Sequence, residues 1–158
     1  MKFTERAKLN LADVNKEVLE QWNAEDMFHK SIEEREGCPQ FIFFEGPPSA
    51  NGHPGIHHVM GRTIKDTFLR YKTMQGFQVK RKAGWDTHGL PVELSVEKSL
   101  GITKEDIGKK ISVDDYNDAC RKNVMMYTSE WTELSEKMGY WVDLEHPYIT
   151  YDNKYIES

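Results

Sequence analysis

Eleven residues in the first third of this 158-residue chain restrict its fold more than any others. Glu45-Gly46-Pro47-Pro48-Ser49-Ala50-Asn51-Gly52-His53-Pro54-Gly55 contains three prolines and three glycines. Proline removes an amide donor and fixes φ, while glycine opens conformations closed to other residues, so neither helix nor strand runs through this stretch. A tight, defined loop is required. Before it, Phe41-Ile42-Phe43-Phe44 is short, aromatic and bounded by turn residues, which predicts a buried strand. After it, Ile56, Met60, Ile64, Phe68, Tyr71 and Met74 recur at helical spacing until Gly76, and Phe77 to Lys82 reads as a second strand. Strand, loop, helix, strand is one βαβ unit of a parallel sheet, so the chain is expected in the α/β class.

The remainder fits around that unit. A helical segment is expected over residues 1–40, capped by Asn10, with a stripe of Leu11, Val14, Val18 and Trp22 and a charged exit from Glu33 to Glu36. Residues 41–158 then form the α/β domain. A second turn, Ala83 to Pro91, leads into a short helix from Val92 to Leu100. Ser112, spaced to Asp115, starts one long helix whose stripe Tyr116, Cys120, Val124, Tyr127, Trp131, Leu134 and Met138 reads as core and stops at Gly139. The segment Tyr151 to Ser158 reads as a helix cut in mid-turn.

In parallel sheets, ligands bind beyond the C-terminal strand ends, and both Gly/Pro turns leave the sheet there. The first turn feeds a helix N-terminus, whose unpaired amides and positive dipole end attract phosphate. It brings His53, His57 and His58; the second turn brings Asp86 and His88. The histidines could bind metal, pack and hydrogen-bond, or stabilise charge on a phosphate. His53 and His57 are four apart, but Pro54 and Gly55 break the helix a metal pair would need, so no metal site is expected. Neither Gly-x-x-x-x-Gly-Lys-Ser/Thr nor Gly-x-Gly-x-x-Gly occurs, so any ATP site has another design. Asp86, beside Trp85, suits a substrate ammonium group in an apolar pocket, or caps the next helix. Pro47 and Pro48 form a rigid pocket wall, or shape the turn.

The net charge of −5 hides a local excess of base. Between Met60 and Trp85 stand Arg62, Lys65, Arg70, Lys72, Lys80, Arg81 and Lys82 against the lone acid Asp66, a net of +6 that leaves −11 elsewhere. The island could contact an anion such as nucleic acid, line a nucleotide crevice, or lie idle on the surface. No apolar run approaches membrane-spanning length, and the N-terminus has no signal-like apolar core. Cys38 and Cys120 fit neither a disulfide framework nor a zinc spacing, so a reducing cytoplasm is the expected setting.

Two motifs together carry a resemblance. Phe44-Glu45-Gly46-Pro47-Pro48-Ser49-Ala50-Asn51-Gly52 and Gly84-Trp85-Asp86-Thr87-His88-Gly89-Leu90-Pro91-Val92-Glu93 resemble the class I isoleucyl-tRNA synthetases. The likeness runs from the Trp22 helix to the end of the chain. It implies the first half of a Rossmann-like catalytic sheet with flanking helices, preceded by the helical segment. It also implies ATP-dependent activation of isoleucine, with Mg²⁺ accompanying the phosphates, and acylation of tRNA(Ile). By position, Asp86 matches the residue that holds the isoleucine ammonium group, and Pro47 a wall of the side-chain pocket. The ATP-binding positions fall on Gly52, His53, Gly55, His57 and His58, with His58 the last residue of a His-x-Gly-His signature and His57 joining it in the chemistry.

This chain departs from that signature, which reads Gly55-Ile56-His57-His58 here. The first histidine is replaced by Gly55 and the small third residue by His57, so His57 or His53 is expected to supply the missing imidazole. The family's Lys-Met-Ser-Lys-Ser loop, editing insertion and anticodon-binding helices do not occur in these residues, and zinc is not expected among them. One methylene distinguishes isoleucine from valine by only about 1–3 kcal/mol, so editing is needed for fidelity. The expectation is half an adenylation site with little turnover of its own.

Overall fold

The computed structural model describes residues 8–158. Its sheet has three parallel strands in the order β1 (Gln40–Phe44), β2 (Gln78–Trp85), β3 (Asp143–Ile149). Helices α1 (Leu11–Ala24) and α2 (Met27–Glu33) precede it, and α3 (Ile56–Met74) crosses from β1 to β2. The second crossover runs through α4 (Leu90–Leu100), α5 (Val113–Val124) and α6 (Thr128–Lys137), and a four-residue α7 (Asn153–Ile156) follows β3. β1 and β2 pair from Gln40↔Gln78 to Phe44↔Lys82, whereas the β2–β3 register shifts between Lys82 and Gly84. The α/β reading holds, and so does the strand–loop–helix–strand unit.

Three local expectations need correction. The N-terminal helix is two: Asp26 adopts a left-handed φ of 49° between α1 and α2. Asn10 does cap α1, accepting from the Ala12 N–H at 3.1 Å, while residues 1–7 of that segment lie outside the described residues. The long helix after Ser112 is also two, although Ser112 caps it as expected by accepting from the Asp115 N–H. It breaks at Met125–Tyr127, where the Tyr127 N–H leaves the helical ladder and donates to the Ala50 carbonyl at 2.9 Å. Finally, β3 has no counterpart in the sequence reading. Its Asp-Leu-Glu-His-Pro-Tyr-Ile composition masks it, because a proline beside two acids and a histidine suits only a strand at a sheet edge.

Both crossovers advance in the same direction and, being right-handed, lay α3 and α6 on the same face of the sheet. Contacts between them agree: Arg62 Nη1 donates to Ser135 Oγ at 2.6 Å and Arg70 Nη2 to the Gly139 carbonyl at 2.7 Å. Leu69, Val79, Ala83, Trp131 and Tyr140 are buried on this face. The N-terminal helices dock onto it through Arg70, whose guanidinium lies 4.7 Å from the Trp22 ring centre and 3.8 Å from that of Trp141.

The β1 side is open. Ile42 and Phe44 are each 59% exposed, against the expectation of a buried strand. β1 ends the strand order and has no neighbour on its outer edge among the described residues. The α3 stripe is likewise uncovered, with Ile56 75% and Ile64 69% exposed, while the helix buries Arg62, Leu69 and Thr73 instead. Parallel sheets are ordinarily covered on both faces.

The basic island is mostly internal. Arg62 and Arg81 are buried, Arg81 Nη1 pairs with Asp66 at 3.0 Å, and Arg70 Nε pairs with the same carboxylate at 2.7 Å. Burial lowers the Arg81 guanidinium to about 10, against the pull of Asp66. Lys65 bonds the buried Glu45, and Lys72 lies over Phe41, Phe68 and Phe77. A row of free cations for nucleic acid is not what these residues make. No helix among the described residues is long and apolar enough to cross a membrane.

Candidate active site

The two Gly/Pro turns meet, because sheet pairing continues past the strand ends. The Asp86 N–H donates to the Pro48 carbonyl at 3.0 Å, and Ser49 and Asp86 form a parallel bridge. The first turn is anchored at Glu45, only 3% exposed. Its N–H donates to the Lys82 carbonyl at 2.8 Å, its carboxylate accepts from Lys65 Nζ and the Tyr140 hydroxyl, and its carbonyl accepts from the Tyr148 hydroxyl. Burial, then the Glu45 carboxylate, pushes the Tyr140 hydroxyl far up, so it stays a donor. Tyr148 also explains Gly84: a Cβ there would overlap the Tyr148 ring.

Asp86 stands where the turns join, half-buried beside the buried Trp85. Its Oδ2 accepts from Ser49 Oγ at 3.4 Å and its Oδ1 from the His88 N–H at 3.3 Å. It does not cap α4, whose N-cap is Gly89 at φ 101° with no side-chain cap bond. Asp86 is therefore held by one hydroxyl and one amide, with no cation paired to it among the described residues. His88 is fixed from the residue just after β3 instead, 2.9 Å from Thr150 Oγ1, which also contacts the Thr87 hydroxyl. Pro47 is half-buried in the first turn, one residue before Pro48.

At the start of α3 the imidazoles separate into distinct situations. His58 Nδ1 accepts from the Gly55 N–H at 2.9 Å, reaching back to the N-cap as the third residue of a capping box does. An accepting Nδ1 assigns the proton of neutral His58 to Nε2, which remains a donor. Desolvation by burial, then the His57 and Arg62 charges, hold His58 below its ordinary 6.5, so it is neutral at physiological pH. His57 lies with its ring centre 3.8 Å from that of His58. Its ring folds back over Gly55: a Cβ on Gly55 would sit 3.0 Å from His57 Cε1 and 3.1 Å from its Nδ1. The glycine at 55 and the histidine at 57 are sterically matched, one making room for the other. His53 turns the other way, 2.6 Å from Glu130 Oε2 with its ring 4.4 Å from Tyr127. No group of three or more His, Cys, Asp or Glu side chains that could hold a metal ion occurs among the described residues.

The sequence reading missed Glu45, Thr150 and Trp131 as partners of these turns. Trp131 is 2% exposed, donates Nε1–H to the Gly52 carbonyl at 2.9 Å and meets His58 edge-on at 4.6 Å. Its helical spacing marked it for burial, and burial is correct; nothing in spacing reveals that a loop is what buries it.

Comparison with known proteins extends this picture. The family model of class I tRNA synthetases (I, L, M and V) matches residues 17–158. The chain is 73% identical over 157 residues to the isoleucine–tRNA ligase of Bacteroides thetaiotaomicron, covering 99% of this chain and 14% of that protein. It is 70% identical over 158 residues to that of Cytophaga hutchinsonii, again covering 14% of the relative. The chain thus spans about a seventh of the length of these curated relatives. Among solved structures, the Agrobacterium radiobacter K84 agnB2 LeuRS in its ternary complex with tRNA and LeuAMS aligns at a TM-score of 0.62 and 18% identity, over 90% of this chain and 16% of that one. At that identity the match speaks for the fold alone.

Proposed function

The chain belongs to the class I tRNA synthetases (I, L, M and V), and from that premise we propose that it forms part of an ATP-dependent isoleucine–tRNA ligase. It supplies the amino-acid anchor and one wall of the ATP site. Residues beyond this chain supply a second phosphate clamp, editing and tRNA(Ile) contacts, and cover the open β1 side. A cytoplasmic setting belongs to the same reading. The isoleucine carboxylate attacks the α-phosphorus of ATP in line, the bond to the bridging oxygen breaks, and pyrophosphate leaves with its negative charge. The acyl group of the resulting adenylate then passes to a tRNA hydroxyl. No covalent enzyme intermediate is required, so the chain contributes positioning and electrostatics.

Each residue has a part in this. Asp86 accepts hydrogen bonds from the isoleucine ammonium group, and Pro47 lines the side-chain pocket. His58 Nε2–H donates to a phosphate oxygen at the α3 N-terminus, where the free amides add to the field. His57 takes the place of the imidazole absent at Gly55; its ring above that residue supports this choice over His53, which Glu130 engages. Gly52 lets the nucleotide approach the backbone, and Gly55 leaves room for the His57 ring beside it. Mg²⁺ would neutralise phosphate charge as part of the incoming nucleotide, and no residue here is assigned to it.

The observation that carries the reading is the unpaired Asp86 carboxylate at the junction of the two turns. Titration of a non-hydrolysable isoleucyl-adenylate analogue into the protein and its Asp86→Ala variant tests it. Loss of a charge-assisted hydrogen bond should weaken binding by about 1.5–3 kcal/mol, roughly ten- to a hundredfold. Equal binding by both proteins removes Asp86 from the ammonium role.

A further inference from the structure

We propose that the start of α6 is the platform that sets the nucleotide loop, with Trp131 the positioning residue for the Gly52 backbone and the His58 ring. This rests on the reading of the Gly52–His58 segment as the ATP site. Three contacts reach that segment and the Ala50 backbone leading into it from one helical turn. The Tyr127 N–H donates to the Ala50 carbonyl at 2.9 Å, Trp131 Nε1–H donates to the Gly52 carbonyl at 2.9 Å, and Glu130 holds His53 at 2.6 Å. They fix Ala50, Gly52 and His53 in a stretch that otherwise has little regular pairing.

The same indole supports the catalytic side of the loop. Trp131 meets His58 edge-on at 4.6 Å, while the Arg62 guanidinium lies 4.9 Å from the Trp131 ring centre. Arg62 is itself fixed to Ser135, one turn further along α6, at 2.6 Å. His58 is therefore gripped between two anchors: the Gly55 N–H sets its tautomer and the Trp131 edge sets its ring plane. Trp131 also packs with Ala50 and Trp85 in one buried cluster, so it supports the roots of both turns where they meet. The break between α5 and α6 has a purpose in this arrangement. Unwinding at Met125–Tyr127 frees the Tyr127 amide for Ala50 and redirects the helix so that Trp131 comes under Gly52.

The experiment compares ATP–pyrophosphate exchange in the full-length ligase that carries these residues, as wild type and as Trp131→Phe, His58→Ala and Leu69→Ala. Phenylalanine keeps an aromatic ring in the cluster and deletes the indole N–H. It should raise the KM for ATP about fivefold, the size of one neutral hydrogen bond, with the KM for isoleucine within about twofold of wild type. Leu69→Ala controls for stability: Leu69 is buried on α3, eleven residues and about 16 Å along the helix from His58. It should lower Tm at least as much as Trp131→Phe without moving the KM for ATP. If Trp131→Phe leaves the KM for ATP unchanged, or if Leu69→Ala raises it equally, Trp131 is packing and no more. His58→Ala separates the two levels. A harmless His58→Ala overturns the ATP-site reading itself, whereas a damaging His58→Ala beside a silent Trp131→Phe overturns only the platform.

Discussion

Two helical stripes in this chain follow the same rule in sequence and meet opposite fates in the fold. The stripe through Tyr116, Val124 and Trp131 is buried, whereas the stripe through Ile56, Met60, Ile64 and Phe68 faces outward. The difference lies in their neighbours. The α6 part of the first packs under the two turns, where Trp131 joins Ala50 and Trp85, and its α5 part packs with α4; the second has Phe68 beside Phe41 of β1, at the end of the strand order. Periodicity shows that a helix has an apolar face and leaves unsaid which partner covers it. On the covered side, the helix and the loops it supports define the candidate site. The open side, in the reading proposed above, awaits the rest of the ligase.

The largest effect that could break this contrast is on stability. In the 158-residue chain, Trp131→Ala should cost about 3–5 kcal/mol, since an aromatic side chain leaves a filled cluster. Ile64→Ser, at a position 69% exposed, should fall within about 0.5 kcal/mol of wild type. Urea denaturation of both variants measures the difference directly. In the longer ligase, Ile64→Ser should become costly, by about 2 kcal/mol or more, because a covered isoleucine behaves as core. Equal, small costs in both settings would show that nothing in the longer protein covers this stripe.

How much of this could be read beforehand follows from the kind of signal involved. The turn from Glu45 to Gly55 and its flanking strand and helix were legible because proline and glycine act locally. Caps at Asn10 and Ser112 were legible for the same reason. The convergence of Asp86 on the first turn followed from the topology of parallel sheets. The burial of β1 was misjudged, since an aromatic run looks alike whether or not a neighbour covers it. β3 escaped because its pairing with β2 depends on long-range register, with Pro147 and its charges pointing away from strand. The Gly55–His57 match was out of reach as well. Sequence shows an exchange of residue types, and only the fold shows the His57 ring within 3.0 Å of where a Gly55 side chain would begin.

A second, smaller effect tests the first turn of α3, where the open stripe meets the site. If His57 stands in for the imidazole absent at Gly55, His57→Ala in the full-length ligase should weaken ATP use about tenfold, close to His58→Ala, the loss of one hydrogen bond to a charged group. An active His57→Ala enzyme would remove His57 from the site. Gly55→Ala sharpens the point without replacing either imidazole. The added methyl meets the His57 ring at 3.0 Å, so the ring must shift by a few tenths of an ångström. A reduction in ATP use of about threefold is expected, on the order of the 0.5–1 kcal/mol that displacing a side chain from its preferred rotamer costs.

The smallest effect is electrostatic and needs no substrate. His58 is held below 6.5 by burial first, then by the charges of His57 and Arg62. Because its folded value lies below its unfolded one, the folded state takes up this proton less readily than the unfolded chain. Protonation therefore opposes folding: the neutral-His58 contribution to stability is present above about 6.5 and declines as pH falls below it. Replacing His57 by alanine deletes one of the lowering charges and leaves the Gly55 N–H donating to Nδ1. The His58 midpoint, followed through its Cε1–H resonance, should then move up toward 6.5 without reaching it, because burial remains. A downward movement would mean that the His57 ring favours protonated His58 rather than repelling its proton, and would overturn the lowering role assigned to His57. An unmoved midpoint would show that the two rings, though 3.8 Å apart, titrate independently. The experiment thus asks of two side chains what the helix stripes ask of whole elements: whether proximity along a helix has become interaction.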